Sequence, residues 1–174
     1  MITPREVEAA IRNVPDFPKP GIQFKDITPV LADARLFSGT IDLLIKDYKP
    51  GSIDAVVGID ARGFIFDAAA AMKLDAGFVP VRKKGKLPFK THEQDYALEY
   101  GSATVAMHID ALKPGARVLL VDDLLATGGT AAAASALVKK LGAQIVEVIF
   151  LIELKFLNGR QKLNGYPVRS VVVY

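Results

Sequence analysis

Val118-Leu119-Leu120-Val121-Asp122-Asp123-Leu124-Leu125-Ala126-Thr127-Gly128-Gly129-Thr130 is the stretch that decides the fold. An apolar run meets two adjacent carboxylates, passes through a loop of small residues and enters an Ala-rich segment predicted as a helix over about 130–141. A buried strand that turns straight into a helix belongs to an α/β protein. At such a junction loop N–H groups and the positive end of the helix converge on an anion, glycine lets the backbone approach it, and Thr127 and Thr130 add hydroxyl donors. Two other phosphate-binding patterns are absent: no two glycines are separated by one residue, and no Gly-Lys-Ser/Thr occurs.

Outward from this junction the same alternation recurs. Ala55-Val56-Val57-Gly58-Ile59 precedes a helical stretch over 64–74, Phe78-Val79-Pro80-Val81 follows, and apolar runs return over 145–151 and 168–173. Continuous apolar runs without period-two alternation indicate parallel strands covered on both faces. The predicted fold is therefore α/β, a doubly wound, mostly parallel sheet, in a single domain over 1–174. Before it, Thr3-Pro4 signals a short helix running up to the stop at Pro15, and helical spacing returns over 34–48. Between them the proline-rich Phe17-Pro18-Lys19-Pro20-Gly21-Ile22-Gln23-Phe24 reads as a loop displaying two aromatics. The polar stretch 83–101 reads as a flexible lid.

Composition narrows the chemistry. With 174 residues, 51% hydrophobic and 24% charged, the chain can bury a core without staples. It has no Cys, which excludes thiolate metal sites and cysteine nucleophiles, and only His92 and His108 remain as imidazoles. A net charge of +3 is too small to indicate a nucleic-acid partner. Arg5, Glu6 and Glu8 stand where a signal peptide would be apolar, and the uncharged stretch 124–138 is too short and Ala/Thr-rich to span a membrane. A cytoplasmic protein is expected.

Asp122-Asp123 would ordinarily be a solvated strand end. Beside a phosphate cradle, however, two carboxylates repel the phosphate unless they contact hydroxyls or a divalent cation. A ligand that joins a phosphate to a diol, a ribose 5-phosphate, satisfies both halves of the motif.

On these residues the chain resembles the type I phosphoribosyltransferases, whose phosphoribosyl-pyrophosphate (PRPP) signature looks like 122–130. The likeness continues in the family's order. The segment 17–28 resembles the base-covering hood of the adenine-using members, within a small N-terminal region of about 1–33. Gly58-Ile59-Asp60-Ala61-Arg62-Gly63-Phe64 resembles the pyrophosphate loop, Arg82-Lys83-Lys84-Gly85-Lys86-Leu87-Pro88 the basic strand end, and Leu98-Glu99-Tyr100-Gly101 the catalytic lid.

The resemblance implies transfer of the 5-phosphoribosyl group of PRPP to adenine, giving AMP and pyrophosphate. Asp122 and Asp123 would hold the ribose, and Ala126, Thr127, Gly128, Gly129 and Thr130 the 5-phosphate. Asp60, Ala61, Arg62, Arg82, Lys83 and Lys86 would meet the pyrophosphate, with a cis peptide near Asp60-Ala61. Phe24 would stack on adenine, the backbone at Gln23 would read the purine edge, and Arg62 would also reach the base. Glu99 and Tyr100 would be catalytic. Mg²⁺ would be carried by PRPP with no direct protein ligand, and a homodimer would lend basic residues across its interface.

Gln23 and Asp67 depart from the family, which commonly has an aliphatic residue and Gly there, with no expected effect on the site. Both histidines are read as structural. The alternatives are a purine phosphoribosyltransferase for hypoxanthine, guanine or xanthine, and a non-catalytic PRPP-sensing regulator.

Overall fold

The computed structural model describes residues 2–98 and 101–174, and the chain divides into two compact units, Met1–Lys46 and Asp47–Tyr174. In the first, helix α1 (Pro4–Ala10) starts on a capping box. Thr3 Oγ1 accepts from the Glu6 N–H, and Glu6 Oε2 accepts from the Thr3 N–H at 2.8 Å. The helix ends earlier than predicted. Arg12–Pro15 is strand β1, paired antiparallel with β2 (Gln23–Asp26), and the turn between them is closed by the Gly21 N–H donating to Asp16 Oδ1 at 2.7 Å. Phe17 and Phe24 meet edge to face at 5.1 Å, and Phe17 is 51% exposed. Helices α2 (Thr28–Ala32) and α3 (Ala34–Leu44) follow, α3 capped by Asp33, and Val7, Val30, Ile41 and Leu44 form this unit's core.

The second unit is the α/β sandwich expected. Its elements are β3 (Ala55–Ile59), α4 (Gly63–Leu74), β4 (Gly77–Lys83), β5 (Thr91–Ala97), β6 (Ser102–His108), β7 (Arg117–Leu125), α5 (Gly129–Lys140), β8 (Gln144–Glu153), 3₁₀ turns at Lys155–Leu157 and Gly159–Leu163, and β9 (Val168–Val173). The sheet order is β5-β6-β4-β3-β7-β8-β9, with β4, β3, β7, β8 and β9 parallel, β6 antiparallel to β4, and β5 antiparallel to β6. Val57, Ile59, Val118 and Leu120 pack with Leu137 and Val138 of α5, while the intervening Gly58 faces Asp67 of α4. One helix on each face makes the sheet doubly wound.

Several features were not expected from sequence: the loop read over 17–24 ends in strand β2 from Gln23, and β6 was not foreseen. Residues 91–97 of the lid segment form a regular strand, paired with β6 from Thr91↔His108 to Ala97↔Ser102. Strand β7 does not stop at the aspartates but continues to Leu125, since β8 is long enough to pair with it as far as Leu125↔Glu153.

Leu120 is wholly buried between β3, β8 and α5. Leu120→Ala should lower the unfolding free energy by about 2–5 kcal/mol, measured by urea denaturation. A loss of under ~1 kcal/mol would mean that this layer is loosely packed.

Candidate active site

The C-terminal ends of β3, β4 and β7 carry Asp60, Ala61 and Arg62, then Arg82 and Lys83, then Asp122 and Asp123 with the 126–130 loop, the end of the strands where open α/β sheets place their ligands. The loop after β7 is held by main chain rather than side chains. Gly128 adopts φ +77° and begins α5 without a side-chain cap, so the first-turn N–H groups face a recess of about 80 Å³ lined by Asp122, Thr127, Gly129 and Thr130 among others. The Gly159 carbonyl oxygen lies where a Cβ on Gly128 would stand, and the Ala126 carbonyl oxygen where one on Gly159 would stand. Neither position tolerates a side chain without moving the loop.

Glu153 ties down the segment behind this contact. Buried at the end of β8, it accepts from Arg160 Nε at 2.7 Å and Nη2 at 2.6 Å and from Ser170 Oγ at 2.7 Å, while Arg160 Nη1 donates to the Val168 carbonyl. This bidentate contact to Arg160 is the chief reason the Glu153 carboxyl titrates below its ordinary range. Lys162, on the same turn, brings Nζ within 3.9 Å of the Cβ position of Gly129. Gly159, Arg160 and Lys162 were not found from sequence, where they sit in an unremarkable polar segment far from the loop they serve.

The aspartates are joined to the pyrophosphate turn. Arg62 Nε lies 2.6 Å from Asp123 Oδ2, and the Asp123 N–H donates to Asp122 Oδ1 at 2.8 Å. Asp60 accepts from Arg82 Nε at 2.9 Å, and the Asp60–Ala61 peptide is cis as expected. Of the basic strand end, Lys84 pairs with Glu93 at 2.7 Å, Arg82 also donates to the Lys86 carbonyl, and Lys83 and Lys86 are exposed or nearly so. Burial, followed by the Asp123 charge, raises the Asp122 carboxyl well above its ordinary value.

Tyr96 of β5 comes within 3.1 Å of the Gly129 Cβ position, which sets the end of the β5–β6 hairpin against the start of α5. The Leu98 N–H donates to the Gly101 carbonyl. Glu99 and Tyr100 lie outside the described residues. Gln23 and Phe24 lie on β2 of the first unit, Phe24 half-buried and Gln23 exposed.

A larger cleft of about 600 Å³ opens at the opposite, N-terminal ends of β3, β4 and β7 among Asp54, Phe78, Leu112 and Lys113. Its glycine-containing loop, Lys113 to Ala116, leads into strand β7 and not into a helix, and Asp54 is already paired with Arg117. The β7–α5 recess is the site that chemistry favours, although it is smaller. Among the described residues no group of three or more His, Cys, Asp or Glu could hold a metal ion, and no helix is long and apolar enough to cross a membrane.

Residues 25–170 match the phosphoribosyl transferase domain, and the chain belongs to that family. A protein from Acidothermus cellulolyticus named adenine phosphoribosyltransferase is 57% identical over 166 residues, 95% of this chain and 94% of that one. The crystal structure of adenine phosphoribosyltransferase from Rhodothermus marinus is 52% identical and superposes with a TM-score of 0.93 over 98% of each chain. That from Saccharomyces cerevisiae, complexed with an imino-altritol bisphosphate and adenine, is 42% identical with a TM-score of 0.91 over 97% of each. Within the family, the chain groups with the adenine phosphoribosyltransferases.

Gly159→Ala should push the 126–128 loop out of register. The expected result is a rise of about tenfold or more in KM for PRPP with KM for adenine little changed, read by steady-state kinetics. An unchanged KM for PRPP would show that the loop does not depend on this contact.

Proposed function

We propose that this chain carries out the reaction for which its relatives are named, transferring the 5-phosphoribosyl group of PRPP to adenine with release of pyrophosphate and formation of AMP. The observation that carries the reading is the junction of an uncapped helix start and glycine loop with a carboxylate pair that is itself joined to Arg62. Phosphate, sugar hydroxyls and pyrophosphate each find the donor or acceptor their chemistry requires.

The bond from the anomeric carbon to the pyrophosphate oxygen breaks with its electron pair leaving on pyrophosphate, and adenine N9 forms the new bond on the opposite face through an oxocarbenium-like state. Thr127, Thr130 and the N–H groups from Ala126 to Gly129 hold the 5-phosphate. Asp122 and Asp123 accept from the ribose hydroxyls. Asp60, Ala61, Arg62, Arg82, Lys83 and Lys86 surround the leaving group, and Lys162 adds a cation beside the 5-phosphate.

Mg²⁺ carried by PRPP would lower the charge of the pyrophosphate. A metal carried by the substrate fits this site, since Asp123 is occupied by Arg62 and Asp122 Oδ1 by a backbone N–H. Phe24 supplies a stacking face and Gln23 a backbone edge for the purine. Glu99 takes the N9 proton and Tyr100 excludes water.

Residues 1–174 are read as one catalytic domain, with the 83–101 segment as its lid. A second copy of the chain is the expected partner, supported by Ile65 and Met72, seven residues apart on α4, and by Phe78, all exposed apolar side chains. PRPP and AMP do not cross membranes unaided, which assigns the reaction to the cytoplasm.

AMP formation from PRPP, measured side by side with adenine, guanine and hypoxanthine, tests the reading. A site that hydrogen-bonds the adenine amino edge should prefer adenine over hypoxanthine by ~10⁴-fold in kcat/KM. Comparable values would reassign the chain to 6-oxopurines. For the lid, Glu99→Leu should lower kcat by about 10²-fold with little change in either KM. A near-normal kcat would leave the lid acting by closure alone.

A further inference from the structure

Asp67, the one acid of α4, has no part in the reaction above. It is 0% exposed, and neither carboxyl oxygen has a hydrogen-bond partner of good geometry, the nearest help being the Ile59 N–H. The side chain fills space that two glycines leave. Its Oδ2 stands where a Cβ on Gly58 would be, and lies 3.1 Å from the Cβ position of Gly63. That same point is 2.7 Å from Asp122 Oδ1, so the Asp67 and Asp122 carboxyls flank one glycine of the pyrophosphate turn.

A buried carboxylate with no cation and no donor set cannot keep its charge, and it takes a proton instead. The charged groups that act on Asp67 from the elements around it deepen this. Asp122 and Asp123 of β7 are both acidic, the Arg62 guanidinium is engaged by Asp123, and β3 offers only Gly58 and the Ile59 N–H. Burial, then the two neighbouring carboxylates, raises the Asp67 carboxyl well above its ordinary value.

We propose that Asp67 is a positioning residue for ribose binding, a neutral carboxylic acid whose O–H is directed to Asp122 Oδ1. That oxygen already accepts from the Asp123 N–H at 2.8 Å. With a second donor on Oδ1, the Asp122 carboxylate is fixed in rotation and Oδ2 becomes the acceptor for a ribose hydroxyl. The proton on Asp67 also spares the site a further negative charge directly behind Asp122. Far from being without effect on the site, Asp67 sets the geometry and charge of its central carboxylate. This inference rests on Asp122 holding the ribose of PRPP.

Two measurements on wild type, Asp67→Asn and Asp67→Ala test it. The first is thermal unfolding across pH, which needs no substrate. A carboxyl whose pKa is higher folded than unfolded binds more protons in the folded state. It therefore lowers stability progressively as pH rises from the ordinary carboxyl range to the folded value. Asp67→Asn lacks that titration, so its Tm advantage over wild type should widen from pH 4 to pH 8. A gap that stays constant with pH overturns the neutral acid.

The second is KM for PRPP against pH. Asp67→Asn, a neutral isostere, should match wild type at pH 7. Above the titration of Asp67 the wild-type KM should climb by about tenfold per pH unit while that of Asp67→Asn stays flat. Asp67→Ala should raise KM for PRPP at every pH and leave KM for adenine unchanged. A normal KM in Asp67→Ala, or the same alkaline limb in Asp67→Asn as in wild type, overturns the positioning role even if the Tm result holds. Absence of AMP formation in wild type would instead remove the PRPP reading, and leave the Tm result standing by itself.

Discussion

Two stretches of main chain share one small volume where Gly128 meets Gly159, and the phosphate cradle depends on that approach. Any side chain at either position would overlap a carbonyl oxygen. The loop between β7 and α5 thus takes its shape from residues about thirty positions further along the chain, not from its own sequence. Glu153, Arg160 and Ser170 orient the segment behind the approach, because a buried carboxylate that takes the guanidinium through two bonds allows one geometry. The cradle is therefore preformed, and its N–H groups need little reorganisation when an anion arrives.

A preformed anion site with two carboxylates in its wall sets an electrostatic problem, and the charges are arranged in linked pairs that answer it. Arg62 balances Asp123, Arg82 balances Asp60, and Lys84 is taken up by Glu93. Arg62 and Arg82 each leave a third or more of the side chain exposed, so these pairs contribute little to stability. Their role is positional. Each guanidinium is held beside the turn where pyrophosphate would lie, and Lys83 and Lys86 add positive charge at the same strand end.

What was legible in the sequence follows from where each signal is stored. Strands β3 and β7 and helix α5 are legible because strands buried on both faces must be apolar throughout, and β3 is buried at every residue. The aspartate–glycine segment is legible because all its parts are adjacent in the chain. By contrast β1 and β5 are edge strands, Arg12-Asn13-Val14-Pro15 and Thr91-His92-Glu93-Gln94-Asp95-Tyr96-Ala97, held by main-chain pairing that polar residues support as well as apolar ones. Their composition reads as loop. Gly159 and Lys162 reach the cradle only through tertiary folding. Asp67 stands in a helix whose other residues give no sign that its one acid lies inside, since that depends on the missing side chain of Gly58.

The β5–β6 hairpin shows how pairing can serve water exclusion. Its strands are joined along their whole length, from Thr91↔His108 to Ala97↔Ser102, and its inner strand β6 is rooted in the core, pairing with β4 at Arg82↔Ala106 and Lys83↔Val105 and burying Val105, Ala106 and Met107. A body that is stiff within and anchored in the core holds its place beside the basic strand end. The far end reaches the start of α5 through Tyr96, beside the same Gly129 whose N–H faces the phosphate recess. One hairpin therefore links the groups at the pyrophosphate end of the site to those at the 5-phosphate end. A phosphoribosyl ligand engaging both ends would draw on the hairpin's own rigidity to keep its sugar away from water.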